Sequence, residues 1–347
     1  MNTGLLILAQ HPPARLVELA TLAERVGYDD FWIADERFFR EVYAELTLVA
    51  LRTSRMRLGP CVTDPYSRHP ALTAMAIATL DEISGGRAVL GIGAGVSGFR
   101  ELGIGRERPA VAIREALQVI DRLLAGETVT FKGEQVALTD TRLDFSPLRR
   151  HVPTYVASQR PVGCAVAGRV ADGAIMQGCV ADPLVRFFVE TVAGAARGTG
   201  RDPRAIDMVA RINVCVSDDR RAAKDLMRPA IVRSLSAQRP DFFTFARAGL
   251  TMPPALRDAL LELSYTHDPE PLRQIAPLVP DEFVDAVTLA GPPDEVAAGV
   301  VRLGRAGITQ LLVYPMAVGG RVDETIERFQ TDVMQCEVSR KASRANE

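Results

Sequence analysis

The chain has 347 residues, 47% of them hydrophobic and 24% charged, with a net charge of −2 at neutral pH. That balance belongs to a globular chain with a large core and excludes a disordered one; the arginines are scattered, so no basic block offers itself to a nucleic-acid backbone. No apolar run approaches the ~20 residues that cross a bilayer, and the N-terminal "LLILA" is shorter than a signal-peptide core and lacks a basic flank, so the expected location is cytoplasmic, with neither nucleic acid nor membrane as partner.

Five cysteines (Cys61, Cys164, Cys179, Cys215, Cys336) are odd in number and form no C-x-x-C pair. They signal neither a disulfide framework nor a zinc site. The four histidines show no H-E-x-x-H spacing, and no metal centre is expected.

In chain order, β-rich runs alternate with amphipathic helical patterns, the rhythm of βαβ units around a parallel sheet. The strand "GLLILAQH" leads to a helix whose Leu16, Leu19, Ala20 and Ala23 share a face before Gly27 stops it. "DDFWIADE" is followed by a helix through "VYAELTLVALRTS", and "MRLGPCV" by "PALTAMAIATLDEIS", where Pro70 sits at a helix start beside His69. "RAVLGIGAG" precedes the helix "AVAIREALQVIDRLLAGE". "VTFKGEQVALTDTRLDF" then alternates around a Lys132-Gly133 turn, as a small antiparallel flap would.

"VPTYVAS", "DGAIMQG", "IDMVARINVCVS" and "TQLLVYP" complete eight strands, with helices near 161–171, 181–197, 219–237 and 293–306. Eight consecutive βα units point to a closed α/β barrel, a (β/α)8 TIM barrel, rather than an open doubly wound sheet. One domain over 1–338 is expected, with a helical insertion at 238–290 near the site's mouth and a frayed tail at 339–347.

Barrel sites assemble at the C-terminal ends of strands, which selects the residues to weigh. Gln10 follows the first strand, and Asp35, Glu36, Arg40 and Tyr43 follow the second. The two carboxylates suit proton handling, or equally a helix cap with a salt bridge to Arg37 or Arg40. "GAGVSG" from Gly93 has the form of a dinucleotide fingerprint but follows the fourth strand and stands about ten residues from its helix; bare backbone approached by a flat ligand is the better account. "ASQRP" ends a strand at a helix start, where free N–H groups and Arg160 could receive a phosphate, as could many loops that bind nothing.

The stretches "ADERFFREVYAELTLVA", "LGPCVTDPYSRHPALTAMAIATLDEISGGRAVLGIGAG", "YVASQRP", "AGRVADGAIM" and "LAGPPDEVAAGVVRLGRAGI" resemble the luciferase-like superfamily of flavin and deazaflavin oxidoreductases, most closely its methylenetetrahydromethanopterin reductase-like branch. The resemblance implies a TIM barrel with a planar redox ring at its mouth, backed by a non-prolyl cis peptide at Cys61-Val62, with polar contacts from Thr63 and Asp64. It places Asp35 near the ring, with Gly93, Ala94 and Gly95 beside it. Ala157, Ser158, Gln159, Arg160, Gln177 and Gly178 fall at the phosphate-bearing tail, and Gln10, Arg40 and Tyr43 near the substrate. Asp35 or Glu36 would manage the proton, although Glu36 stands where the family often has histidine. The implied cofactor is coenzyme F420, with FMN as the alternative; the implied activity is hydride transfer to or from a small organic substrate, with an FMN-dependent monooxygenase or a non-catalytic flavin-binding barrel as alternatives, and the implied assembly is a homodimer.

Overall fold

A computed structural model describes residues 1–178 and 180–335; the expected tail at 339–347, Cys179 and Cys336 lie outside the described residues. The chain divides into two compact units. The larger comprises Asn2–Met176 and Glu190–Val209, and the smaller comprises Met1, Gln177–Val189 and the chain from Ala210 onward.

In the larger unit the chain order is β1 (Asn2–Leu8), α1 (Pro13–Val26), β2 (Asp30–Ala34), α2 (Val42–Ala50), β3 (Arg57–Pro60), α3 (Pro70–Ile83), β4 (Leu90–Gly93) and α4 (Pro109–Leu124). The hairpin β5 (Val129–Lys132) and β6 (Ala137–Thr141) follows, then β7 (Thr154–Ala157), α5 (Pro161–Val170) and β8 (Gly173–Gln177); of α6 (Asp182–Arg197) only the part from Glu190, and of β9 (Asp207–Val216) only the start, belong to this unit. Strand β1 pairs in parallel with β2 and β2 with β3, while β4 pairs with β7 and β7 with β8. Isolated parallel bridges, Leu58 to Ala88 and Thr63 to Ile92, carry β3 across to β4.

These elements form for local reasons. Strand β2, "DFWIA", is buried at every position, as a parallel strand covered on both faces must be. Helix α1 opens on Pro13 and closes on Gly27, whose φ of 104° lets its N–H turn back to the carbonyls of Ala23 and Glu24. His69 caps α3, its Nδ1 accepting from the Ala71 N–H at 3.2 Å. The flap is antiparallel, as its alternation requires, with Lys132 opposite Ala137.

The smaller unit continues β9 and carries α7 (Arg220–Ser236), α8 (Phe243–Arg247), α9 (Pro254–Glu262), α10 (Pro269–Ile275), α11 (Asp281–Val287), β10 (Thr288–Gly291), α12 (Pro293–Arg305), β11 (Gln310–Pro315) and α13 (Val322–Arg328). The insertion packs as short helices around a core that includes Met227, Ile231, Leu235, Leu256 and Leu260. Phe245 and Phe283 stack within it, ring centroids 4.7 Å apart. Strand β10 straddles the end of the 238–290 stretch and pairs in parallel with β9, Thr288 opposite Asn213. It escapes a sequence reading because "TLAG" is too short and too small-sided to register as a strand.

In chain order, β1–β4, β7–β9 and β11 are each followed by a helix, and the fold class is the α/β (β/α)8 TIM barrel. No helix among the described residues is long and apolar enough to cross a membrane.

Candidate active site at the ends of β2, β3 and β4

In the larger unit, the segments following β2, β3 and β4 interlock through one arginine. Arg37 donates from Nη1 to the Asp35 carbonyl at 2.7 Å and from Nη2 to Ser67 Oγ at 3.2 Å, and pairs with the Asp64 carboxylate. Its side chain is 8% exposed and that of Asp64 0%, so the pair is desolvated. Asp64 Oδ1 also accepts the N–H groups of Tyr66 and Ser67, each at 2.8 Å, the pattern by which an aspartate folds the chain into a turn. Asp64 is therefore engaged by its own turn and Arg37. The expected polar contact to a ring falls to Thr63 alone, and Arg37 braces the turn.

Arg37 also lies over Phe99, 4.5 Å from the ring centroid, with Arg106 at 4.9 Å. Tyr66 meets the same ring edge-on at 6.2 Å. Ser97 donates to Glu36 Oε2, which ties the loop after β4 to the end of β2. Ser97, Phe99 and Arg106 were not among the sequence candidates, and Arg37 was weighed only as a salt-bridge partner of Asp35 or Glu36. The available signal was a run of arginines and one aromatic in two loops at the same barrel rim.

The Cys61–Val62 peptide bond is cis, as the resemblance implied. Cys61 N–H donates to Ile33 O at 2.8 Å, Thr63 N–H to Gly91 O at 3.0 Å, and Gly93 N–H to Thr63 O at 2.9 Å. A Cβ on Gly93 would meet Val62 Cγ2 at 2.7 Å and the Ala157 carbonyl at 3.4 Å. One on Gly95, where φ is +66°, would meet the Phe99 ring at 2.7 Å. The bare backbone here is explained first by the chain's own packing, and only Ala94, partly exposed between them, faces no such constraint.

Asp35, Thr63 and Tyr43 gather at the same rim. Burial raises the Asp35 pKa above the ordinary aspartate value, and the nearby Thr63 hydroxyl and the cations of Arg37 and Arg68 offset only part of this. The buried Thr63 hydroxyl is close enough to that carboxyl to act on it as a hydrogen-bond donor. The Tyr43 hydroxyl is buried without a partner; burial first, and then the Asp35 charge, push its pKa up. Arg68 lies 4.9 Å over the Tyr43 ring and donates to Glu41 Oε1 at 2.7 Å, while Glu41 Oε2 caps α2 by accepting from the Ala44 N–H at 2.8 Å. Glu41, not Asp35 or Glu36, is thus the helix cap. Arg40 turns to the carbonyls of Ala9 and Gln10 at 3.3 and 2.9 Å, which brings Gln10 and Arg40 together.

After β7, Ser158 Oγ accepts the Arg160 N–H at 3.1 Å. Helix α5 begins at Pro161 with no side-chain cap from Arg160, which leaves its first-turn N–H groups uncapped. Gln159 is partly exposed in the same turn. Gln177 and Gly178 close β8 in the smaller unit, where the Gly178 N–H donates to Arg211 O at 2.7 Å. Arg211 itself donates to Asn213 Oδ1 at 2.9 Å and stacks 4.7 Å over Tyr314. Polar residues two apart in the otherwise apolar β9 were the signal for that pair. Among the described residues no cluster of side chains could hold a metal ion.

Residues 1–310 match the family model described as luciferase-like monooxygenase. The chain belongs to the luciferase-like family. Within that family, the 5,10-methylenetetrahydromethanopterin reductase of Methanolobus tindarius is 33% identical over 96% of this chain and 100% of its own length. The F420-dependent glucose-6-phosphate dehydrogenase of Kineococcus radiotolerans is 32% identical over 94% of this chain and 93% of its own. The coenzyme F420-dependent tetrahydromethanopterin reductase of Methanopyrus kandleri has the same fold, with a TM-score of 0.85 at 28% identity over 96% of this chain and 98% of that one.

Proposed function

We propose that this luciferase-like chain is an F420-dependent oxidoreductase that moves hydride between the deazaflavin and a small organic substrate. One observation carries the reading beyond family membership: the buried Tyr43 hydroxyl stands without a partner beside Asp35, the carboxyl that the Thr63 hydroxyl faces. Buried polar groups are ordinarily satisfied. An orphan hydroxyl at the functional rim of a barrel fits a flat ligand with polar edges, and relatives named as F420-dependent match nearly the whole chain.

On this reading the backbone of Cys61, Val62 and Thr63 and the strip Gly93, Ala94 and Gly95 hold the ring, while Ser158, Gln159, Arg160 and the first turn of α5 receive the anionic tail. Bound F420 supplies a two-electron hydride carrier. The chain supplies orientation and proton control. Asp35, whose pKa burial raises, is the group placed to exchange the proton that accompanies hydride transfer; Glu36, which accepts from Ser97, tethers the loop after β4. Gln10, Arg40 and Tyr43 line the substrate side.

The test is spectrophotometric: oxidation of reduced F420 with methylenetetrahydromethanopterin, and reduction of F420 with glucose 6-phosphate, for wild type and Asp35→Asn. Loss of a general acid lowers turnover about 10²- to 10⁴-fold. Retained F420 binding with that loss supports the assignment; undiminished turnover removes Asp35 from it. An FMN-dependent monooxygenase remains the second reading because the family model is described as a luciferase-like monooxygenase, and coupled oxygen uptake with FMN would favour it.

A second copy of the chain is proposed to cover the apolar face of α2 and α3. Leu48, Leu51, Leu72, Met75 and Ile83 on these adjoining helices are 39–66% exposed. Exposed large apolar side chains gathered on two neighbouring helices are where an interaction surface is sought.

A further inference from the structure

The larger unit holds a cavity of about 360 Å³ that takes no part in the rim described above. It lies between the last turn of α4, at Leu124 and Gly126, and the stretch 142–150 that leads into β7. Helix α4 runs back from the end of β4, and β7 begins only at Thr154, so the cavity sits at the N-terminal ends of the strands, away from Asp35, Thr63 and Tyr43. Its volume falls in the range of small-molecule pockets.

The wall formed by 142–150 is pinned in place. Arg149 donates from Nε to the buried Asp81 at 2.9 Å and from Nη2 to the Ala88 carbonyl at 2.6 Å, and His151 is held between Asp172 and Asp121 of α4. Arg150 stands between these two anchored residues and lines the cavity, yet among the described residues it has no hydrogen bond, ion pair or ring partner. Arg142, on the same lining, has only a loose pair, 3.7 Å to Asp144, with side chains 69% and 92% exposed. A pair so open to water neutralises little of either charge. The end of α4 adds about half a negative charge, which two whole guanidinium charges outweigh. Between the two arginines the lining is apolar, with Phe145 and Pro147 facing Leu124 across the cavity.

We propose that this cavity is a second binding site, for a small organic anion: a carboxylate, sulfonate or phosphate group carried on an apolar body. The anionic group meets Arg142 and Arg150, and the body lies against Phe145 and Pro147. An apolar lining with a few fixed polar groups at one edge is how pockets orient such molecules, and hydrogen bonds from guanidinium to an oxyanion are among the strong ones. Anchoring on Asp81, Asp121 and Asp172 sets the wall before anything binds, so little ordering is left to oppose association. The site stands independently of the cofactor assignment, since none of its residues belongs to the rim.

The test uses two dyes that brighten on binding and share one apolar body, the anionic anilinonaphthalene sulfonate and the neutral phenylnaphthylamine. They are titrated into wild type, into Arg142→Gln combined with Arg150→Gln, and into a charge control, Arg197→Gln combined with Arg257→Gln, at exposed helix positions outside the cavity. All four side chains are exposed, so both variants are expected to melt as wild type does. Saturable binding of the sulfonate dye, about tenfold or more tighter than the neutral dye in wild type and control, with that preference lost in the Arg142 and Arg150 variant, supports the proposal. Absent binding, equal affinity for the two dyes in wild type, or a preference that survives loss of both arginines overturns it. An equal loss in the charge control also overturns it, as does displacement of the sulfonate dye by F420, which would place the dye at the ring site.

Discussion

Asp35 shows how one side chain links packing to chemistry at this rim. Burial is the largest cause of its raised pKa, so the folded protein holds that proton more tightly than the unfolded chain does. The linked stability is fully present below the ordinary value of 3.8 and is lost as pH rises through the folded value. At neutral pH the carboxylate is therefore a burden on the fold. Asp35→Asn should be more stable than wild type in urea at pH 7, and the advantage should vanish as pH falls toward 4. A pH-independent difference would show that Asp35 titrates as an exposed residue. The residue itself was legible in the sequence as a polar side chain at a strand end. Its raised pKa was not, because burial and the charges of Arg37 and Arg68 around it are set only when the segments after β2 and β3 meet on folding.

At the scale of elements, β3 and β4 fit because two glycines yield to one valine. Gly93→Ala would push its Cβ to 2.7 Å from Val62 Cγ2, an overpacking expected to destabilise by about 1–3 kcal/mol. Val62→Ala should recover part of that loss in the double variant, and strict additivity in a denaturation cycle would show that the contact does not exist. The glycine run was visible in the sequence, but its reason was not: spacing reveals where side chains are missing, never which neighbour occupies the space.

Elements meet a second time at His151. Its Nε2 lies 2.9 Å from Asp172, just ahead of β8, and its Nδ1 lies 3.5 Å from Asp121 of α4. The two aspartates push the His151 pKa up to about 10. A raised histidine contributes stability that is fully present below its unfolded value near 6.5 and lost as pH rises through about 10. His151→Gln should thus cost stability at pH 6 and little by pH 10.5, and solvent screening keeps the difference small because the side chain is half exposed. An unchanged gap across that range would show that the ring is not clamped as a cation.

For the whole molecule, the eightfold alternation of strand and helix was legible because buried parallel strands read as unbroken apolar runs and the helices as amphipathic ones. What escaped was small or distant: β10, with four residues; Glu41 as the cap of α2; and Arg37, whose partners Asp64, Ser67 and Phe99 come from two other loops. Self-association belongs to this scale as well. Leu72→Glu combined with Met75→Glu on the face of α3 should convert a dimer to monomers by light scattering; a dimer that survives both changes pairs elsewhere.

A calorimetric titration of the purified chain with F420 and, separately, with FMN bears most directly on the account. Saturable binding of one F420 per chain, at least about tenfold tighter than FMN, is the predicted outcome. Tight FMN binding with no uptake of F420 would contradict it.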